Sequence, residues 1–147
     1  MDKCDCEENI MVKELVHDPM FLAQKSEPAT EADAQVITDL LDTLRAHLDG
    51  CVGMAANMIG VKKNIIVVSM GFMQVAMVNA NIVSKKKPYK TEEGCLSLLG
   101  GPRPCTRYAE IEVEYLDANF ISKKEKFTGF TAQIIQHELD HVNGVLI

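Results

Sequence analysis

The sequence predicts an α+β fold: a mixed, mainly antiparallel β-sheet packed around a C-terminal helix that carries metal-ligating side chains, with an additional N-terminal amphipathic helix. Three observations predict it. Apolar residues recur at helical spacing between 36 and 48, strand-like stretches that are apolar and β-branched or alternating lie at 64–70, 73–83, 110–115 and 121–127, and a second helical stretch covers 130–143. A length of 147 residues, a hydrophobic fraction of 47% and a charged fraction of 24% place all of this in one domain, 1–147, large enough to bury a core.

The elements follow in order. Residues 10–28 read as irregular, with Asp18-Pro19 and Glu27-Pro28 as breakers and room for a short strand. Thr30 caps a helix with Asp33 three residues on; Val36, Ile37, Leu40, Leu41, Leu44 and Leu48 give it an apolar face to lay on a sheet, and Asp49-Gly50 stops it. Asn64 to Met70 and Met73 to Val83 read as a strand pair around Gly71, and Lys85-Lys86-Lys87 as a solvated turn before Pro88. Ile111, Val113 and Tyr115 alternate with Glu110, Glu112 and Glu114, which marks a strand with one wet face. After the turn signal Asp117-Ala118-Asn119 a further strand runs from Ile121 to Phe127, and the last helix from Phe130 to Asn143 ends at Gly144.

Charge and cysteine content narrow the function. A net charge of -6 argues against a general nucleic-acid grip. No apolar run is long enough to cross a bilayer, and the acidic opening Met1 to Asn9 is unlike a signal peptide, so a cytoplasmic address and no membrane partner are expected. The count of 5 cysteines is odd, so pairwise disulfides leave at least one sulfur over, and thiols or metal ligands are the better reading. Cys4 and Cys6 read as exposed thiols near the terminus, and Cys51 fits core or ligand equally.

The chemistry is concentrated in Gln136-His137-Glu138-Leu139-Asp140-His141. Histidines four apart share one helical face and can grip a single metal ion, while the glutamate beside the first points at the water that such an ion polarises. A thiol supplies a third ligand: Cys95, in the glycine-flanked segment Glu93-Gly94-Cys95-Leu96-Ser97, is the better placed, and Cys105 is its rival. Three protein ligands leave a coordination position open for water, as a hydrolytic centre requires. Asp140 either supports a ligand through a hydrogen bond or is solvated.

These residues carry a resemblance to the peptide deformylases, metallo-amidases that remove the formyl group from nascent chains. The family's G-h-G-h-A-A-x-Q box resembles Cys51-Val52-Gly53-Met54-Ala55-Ala56-Asn57-Met58, its E-G-C-h-S box is Glu93 to Ser97, and its Q-H-E-x-D-H box is Gln136 to His141. The resemblance implies Cys95, His137 and His141 as metal ligands, Glu138 as general acid/base, and the backbone N–H of Leu96 as an oxyanion donor. It further implies Val52, Gly53, Met58 and Gly94 as substrate-binding, with Arg107 pairing Glu93 to hold the cysteine loop. One divalent transition metal is implied, Fe2+ as the working ion with Zn2+, Ni2+ or Co2+ as substitutes, and an N-formyl-methionyl peptide as substrate. Glu138 would take a proton from the attacking water and return it to the leaving amine.

The first box departs from the family. Its opening glycine is Cys51, and the glutamine whose amide donates to the developing oxyanion is Met58, which cannot donate. Losing one such donor costs on the order of 100-fold to 1000-fold in turnover. Asn57 lies one position early and points elsewhere unless the loop bends. Many family members continue with a further helix; the sequence as it stands, ending at Val145-Leu146-Ile147, gives no support for ribosome contact through such an element. The expected function is therefore a slow deformylase. The alternative is a deformylase-like paralogue with lost or altered acyl-amide hydrolysis. A purely metal-binding role does not need Glu138, and the cysteine box argues against a conventional zinc peptidase.

Overall fold

The computed structural model describes residues 13–71, 73–94 and 101–145. Five strands, β1 (Gly53–Ala55), β2 (Ile65–Ser69), β3 (Gln74–Glu93), β4 (Arg103–Leu116) and β5 (Ser122–Thr128), form one sheet in chain order, and every neighbouring pair is antiparallel. Three helices accompany them: α1 (Pro19–Leu22), α2 (Ala34–Ala46) and α3 (Gly129–Val142). The expected α+β class and both long helices are present.

β2 shows why the sheet takes a helix on each side. Its side chains alternate, so Ile65 and Val67 join the core built on Ile37, Leu40 and Leu44 of α2, while Ile66 and Val68 join the core built on Ile135, Leu139 and Val142 of α3. A strand buried on both faces must be apolar throughout, and Ile65 to Val68 are. Each fully buried leucine of α2 contributes about 1.5–3 kcal/mol relative to leaving it in water. The helix starts as expected: the Thr30 hydroxyl accepts from Ala32 N at 3.3 Å and Asp33 Oδ2 accepts from Thr30 N at 2.9 Å, although the first turn, Glu31–Asp33, is 3-10.

Several expectations are corrected. Asp18-Pro19 does not break structure but starts it: Asp18 caps α1 through Met20 N, and Pro19 takes the first helical position, where no N–H is needed. The short strand expected nearby is reduced to a single bridge between Glu27 and Lys63. Lys85-Lys86-Lys87 is not a turn but lies within β3, because the facing stretch of β4 presents glutamates: Lys86 lies across from Glu110, and Lys87 Nζ reaches Glu110 Oε2 at 2.9 Å. β4 likewise begins well before the expected alternation, at Arg103, and β1 had no counterpart among the expected strands. β3 bends at Asn79, whose φ of 53° and register shift are held by paired amide bonds to the backbone of Ala29 at 2.8 and 3.0 Å.

Candidate active site

Helix α3 is positioned by its own polar side chains. The β4–β5 ladder ends at the Glu110–Thr128 pair, and beyond it Tyr108 would leave its edge unpaired. The Gln136 amide takes the place of the next strand residue: Tyr108 N donates to Oε1 at 2.8 Å, and Nε2 donates to Tyr108 O at 2.8 Å. This sets the helix against the sheet with His137, Glu138 and His141 buried.

The two histidines converge. His137 Nε2 and His141 Nε2 lie 3.0 Å apart. His137 Nδ1 lies 2.7 Å from Glu93 Oε1, so that nitrogen carries the proton and Nε2 keeps its lone pair. Burial, reinforced by the neighbouring His137 and Arg107, lowers the pKa of His141 to about 3, leaving a neutral imidazole at pH 7. Two ligands at 2.0–2.1 Å from a tetrahedral ion stand about 3.3 Å apart, so the pair sits within about 0.3 Å of that spacing and fits a metal ion. Cys105 does not join them: among the described residues no set of three acidic, cysteine or histidine side chains gathers around a common point. It sits half-buried across the ladder from Thr91, its thiol pushed up by burial. Cys95 and Leu96 lie outside the described residues, as do Cys4 and Cys6. Gly94 and Gly101, on either side of 95–100, both line the cavity described below.

Glu93 is the hub of the support. Arg107 donates to it from Nε at 3.1 and 3.0 Å and from Nη2 at 2.7 Å, and Gln133 Nε2 donates at 2.7 Å. Burial alone would raise its pKa, but the bonds from His137, Arg107 and Gln133 outweigh it and hold the carboxyl near 2. The expected Glu93–Arg107 pair is therefore present. Asp140, expected either on a ligand or in solvent, instead accepts from Arg107 Nη1 at 2.7 Å. Gln133 was missed in the sequence, although its place one helical turn before His137 is a usable signal.

Glu138 has the environment of a proton carrier. It is 4% exposed, its Oε1 has no partner among the described residues, and burial, partly offset by His137, raises its pKa to about 7. Gly53 lets it approach β1: a Cβ there would stand 3.0 Å from Glu138 Oε2 and 2.7 Å from Ile134 Cγ2. His137 and Glu138 face a cavity of about 480 Å³ lined also by Val52, Gly53, Met58 and Gly94, with Phe130 at 63% exposure beside them. Met58 is 1% exposed, and its Sδ accepts from Ala55 N at 3.4 Å. The structure directs Asn57 away from the cavity, its Nδ2 donating to His141 O at 2.9 Å, so it does not replace the missing amide.

Nearly the whole chain is similar to known peptide deformylases. The family model for polypeptide deformylase matches residues 12–147. The peptide deformylase of Clostridium beijerinckii is 60% identical over 137 residues, covering 93% of this chain and 100% of the relative. The crystal structure of a peptide deformylase from Thermotoga maritima superposes with a TM-score of 0.81 at 31% identity, over 92% of this chain and 94% of that one. A Met-Ala-Ser-bound class I type b peptide deformylase from Acinetobacter baumannii gives a TM-score of 0.83 at 26% identity, over 93% and 96% of the two chains.

Proposed function

Since this chain belongs to the peptide deformylase family of hydrolases, we propose that it removes the formyl group from N-formyl-methionyl peptides, with Glu138 as proton carrier and His137, His141 and Cys95 as the ligands of one divalent metal. The observation that carries this reading is the 3.0 Å convergence of two imidazole nitrogens beside the buried carboxyl of Glu138, whose Oε1 has no partner among the described residues, at the wall of a cavity of about 480 Å³. When bound, the metal supplies Lewis acidity, lowering the pKa of a water at its open position and polarising the formyl oxygen.

The residues divide the remaining work. Glu93 holds His137 in the tautomer that places the ring lone pair on Nε2, and Arg107 and Gln133 keep Glu93 ionised for that task. Glu138 receives a proton from the attacking water and delivers it to the departing amine; a carboxyl whose pKa is raised toward 7 is matched to both steps. The side chains of Val52 and Ile134 give the cavity an apolar wall, and its volume suits a methionyl side chain with its flanking backbone. That the Acinetobacter relative is bound to Met-Ala-Ser supports a peptide ligand. The resemblance points to Fe2+ as the working ion and to a cytoplasmic site of action; among the described residues no helix is long and apolar enough to cross a membrane.

Met58 motivates a slow rate. Its thioether already accepts from Ala55 N and offers no donor, so the oxyanion rests on the backbone N–H of Leu96. The same observation favours a second reading, in which the site has moved to another small acyl amide. Formate release from formyl-Met-Ala-Ser by anaerobically purified, iron-loaded protein tests the first. Release abolished by metal chelation is expected; no release from protein carrying one equivalent of iron, together with cleavage of acetyl or longer acyl peptides, would establish the second.

A further inference from the structure

Asn57 is fully buried, yet it neither faces the cavity nor serves the sheet. Its Nδ2 crosses 84 residues of sequence to donate to His141 O at 2.9 Å. That carbonyl lies in the last turn of α3, where the helix cannot satisfy its own acceptors in full; it also receives Gly144 N at 3.0 Å. A side chain from the segment after β1 thus fixes the backbone from which the second histidine projects.

The other end of the same amide is equally informative. Asn57 Oδ1 and His141 Nδ1 are both buried without a hydrogen-bond partner among the described residues. They are chemically complementary. Once His141 Nε2 gives its lone pair to a cation, Nδ1 must carry the ring proton and needs an acceptor, whereas Oδ1 is an acceptor lacking a donor. His137 meets this need through Glu93, and among the described residues no carboxylate does the same for His141.

We propose that Asn57 is the positioning residue of His141, gripping its backbone through Nδ2 and its ring through Oδ1, the latter by one buried water that bridges to Nδ1–H. The metal pair is then supported asymmetrically, by a charged carboxylate behind His137 and by a neutral amide behind His141. This rests on His141 being a metal ligand, as proposed above.

The test is Co2+ affinity, measured against a competing chelator, with the visible absorption of the Co2+ protein as a second readout. Asn57→Ala should weaken binding by about 10-fold to 100-fold, the usual effect of removing a partner behind a ligand, and should shift the absorption bands. Asn79→Ala removes an amide that clamps the backbone at Ala29 and is bonded to neither histidine. It should lower Tm yet leave Co2+ affinity within about twofold, which separates positioning from general stability. In Co2+-saturated Asn57→Ala, kcat for formyl-Met-Ala-Ser should fall with KM unchanged, because Asn57 does not line the cavity. Affinity within about twofold of wild type with superimposable absorption would overturn the assignment. Asn57→Ser, too short to reach both groups, is read against the same limits if the alanine variant does not fold. Wild-type protein that binds no Co2+ would overturn the metal reading of the site together with this one, whereas an unaffected Asn57 variant overturns only the role of Asn57.

Discussion

Replacing Gly53 by alanine displaces the proton carrier without removing it. The added methyl would stand 2.7 Å from Ile134 Cγ2, 3.0 Å from Glu138 Oε2 and 3.1 Å from Glu138 Cγ. Carbon atoms pack at about 3.5–4.0 Å, so β1 and α3 must separate locally by about 0.8 Å to clear Ile134 Cγ2, and the Glu138 side chain must shift away from the new methyl as well. Overpacking of this kind costs about 1–3 kcal/mol, which corresponds to a fall in Tm of about 3–10 °C for a domain of this size. The catalytic cost is larger in proportion, because a misplacement of about 1 Å loses on the order of 100-fold in rate. Formate release at saturating formyl-Met-Ala-Ser should therefore drop about 30-fold to 100-fold with metal content unchanged, since the three atoms nearest the added methyl belong to Ile134 and Glu138 and not to a histidine. A folded, metal-replete Gly53→Ala with wild-type kcat would show that the position of Glu138 against β1 is irrelevant to the reaction.

Four further outcomes are expected. Glu138→Gln should keep its metal and lose nearly all hydrolysis, because the amide is close in shape but accepts no proton; turnover near wild type would remove Glu138 from the chemistry. Cys95→Ala, His137→Ala and His141→Ala should each lose most bound metal by elemental analysis while Cys105→Ala retains it, and full occupancy in Cys95→Ala would exclude the thiol as a ligand. Met58→Gln should raise kcat by roughly 10-fold to 1000-fold with little change in KM, since an oxyanion bond forms in the transition state; an unchanged kcat in folded, metallated protein would mean that another group fills that role. In metal-free protein, Glu93 lowered to about 2 from 4.5 stabilises the fold fully above pH 4.5 and loses that contribution, up to about 3 kcal/mol, as the pH falls toward 2. Urea unfolding across that window should show a shallower pH dependence for Glu93→Gln than for wild type, and identical slopes would refute the assignment.

What the sequence made legible was periodicity and local chemistry. α2, α3 and the outer half of β4 carry long enough patterns to be read directly, and the histidine pair with its glutamate is set by helical geometry alone. β1 was not legible because three residues buried throughout, Gly53-Met54-Ala55, show no alternation. The lysine-rich half of β3 was misread for a different reason: Lys85 to Lys87 are poor strand formers until the glutamates of β4 lie beside them, so the pairing rather than local preference decides. The same limit applies in the site. Glu93 and Arg107 were found through a motif, but the roles of Asn57, Gln136 and Asp140 depend on partners 84, 28 and 33 residues away.

The Glu93 network makes ion capture a property of the whole fold. The carboxylate sits at the end of β3, its guanidinium partner on β4, and the imidazole it orients on α3. An isolated helix carrying both histidines would present the right spacing with both ring tautomers populated and no fixed ring angle. Only after the hairpin has closed and the helix has docked on it does His137 acquire a single donor state. Retention of a bound ion during denaturation should accordingly follow the same cooperative transition as the loss of tertiary structure, making the metal a built-in reporter of native packing.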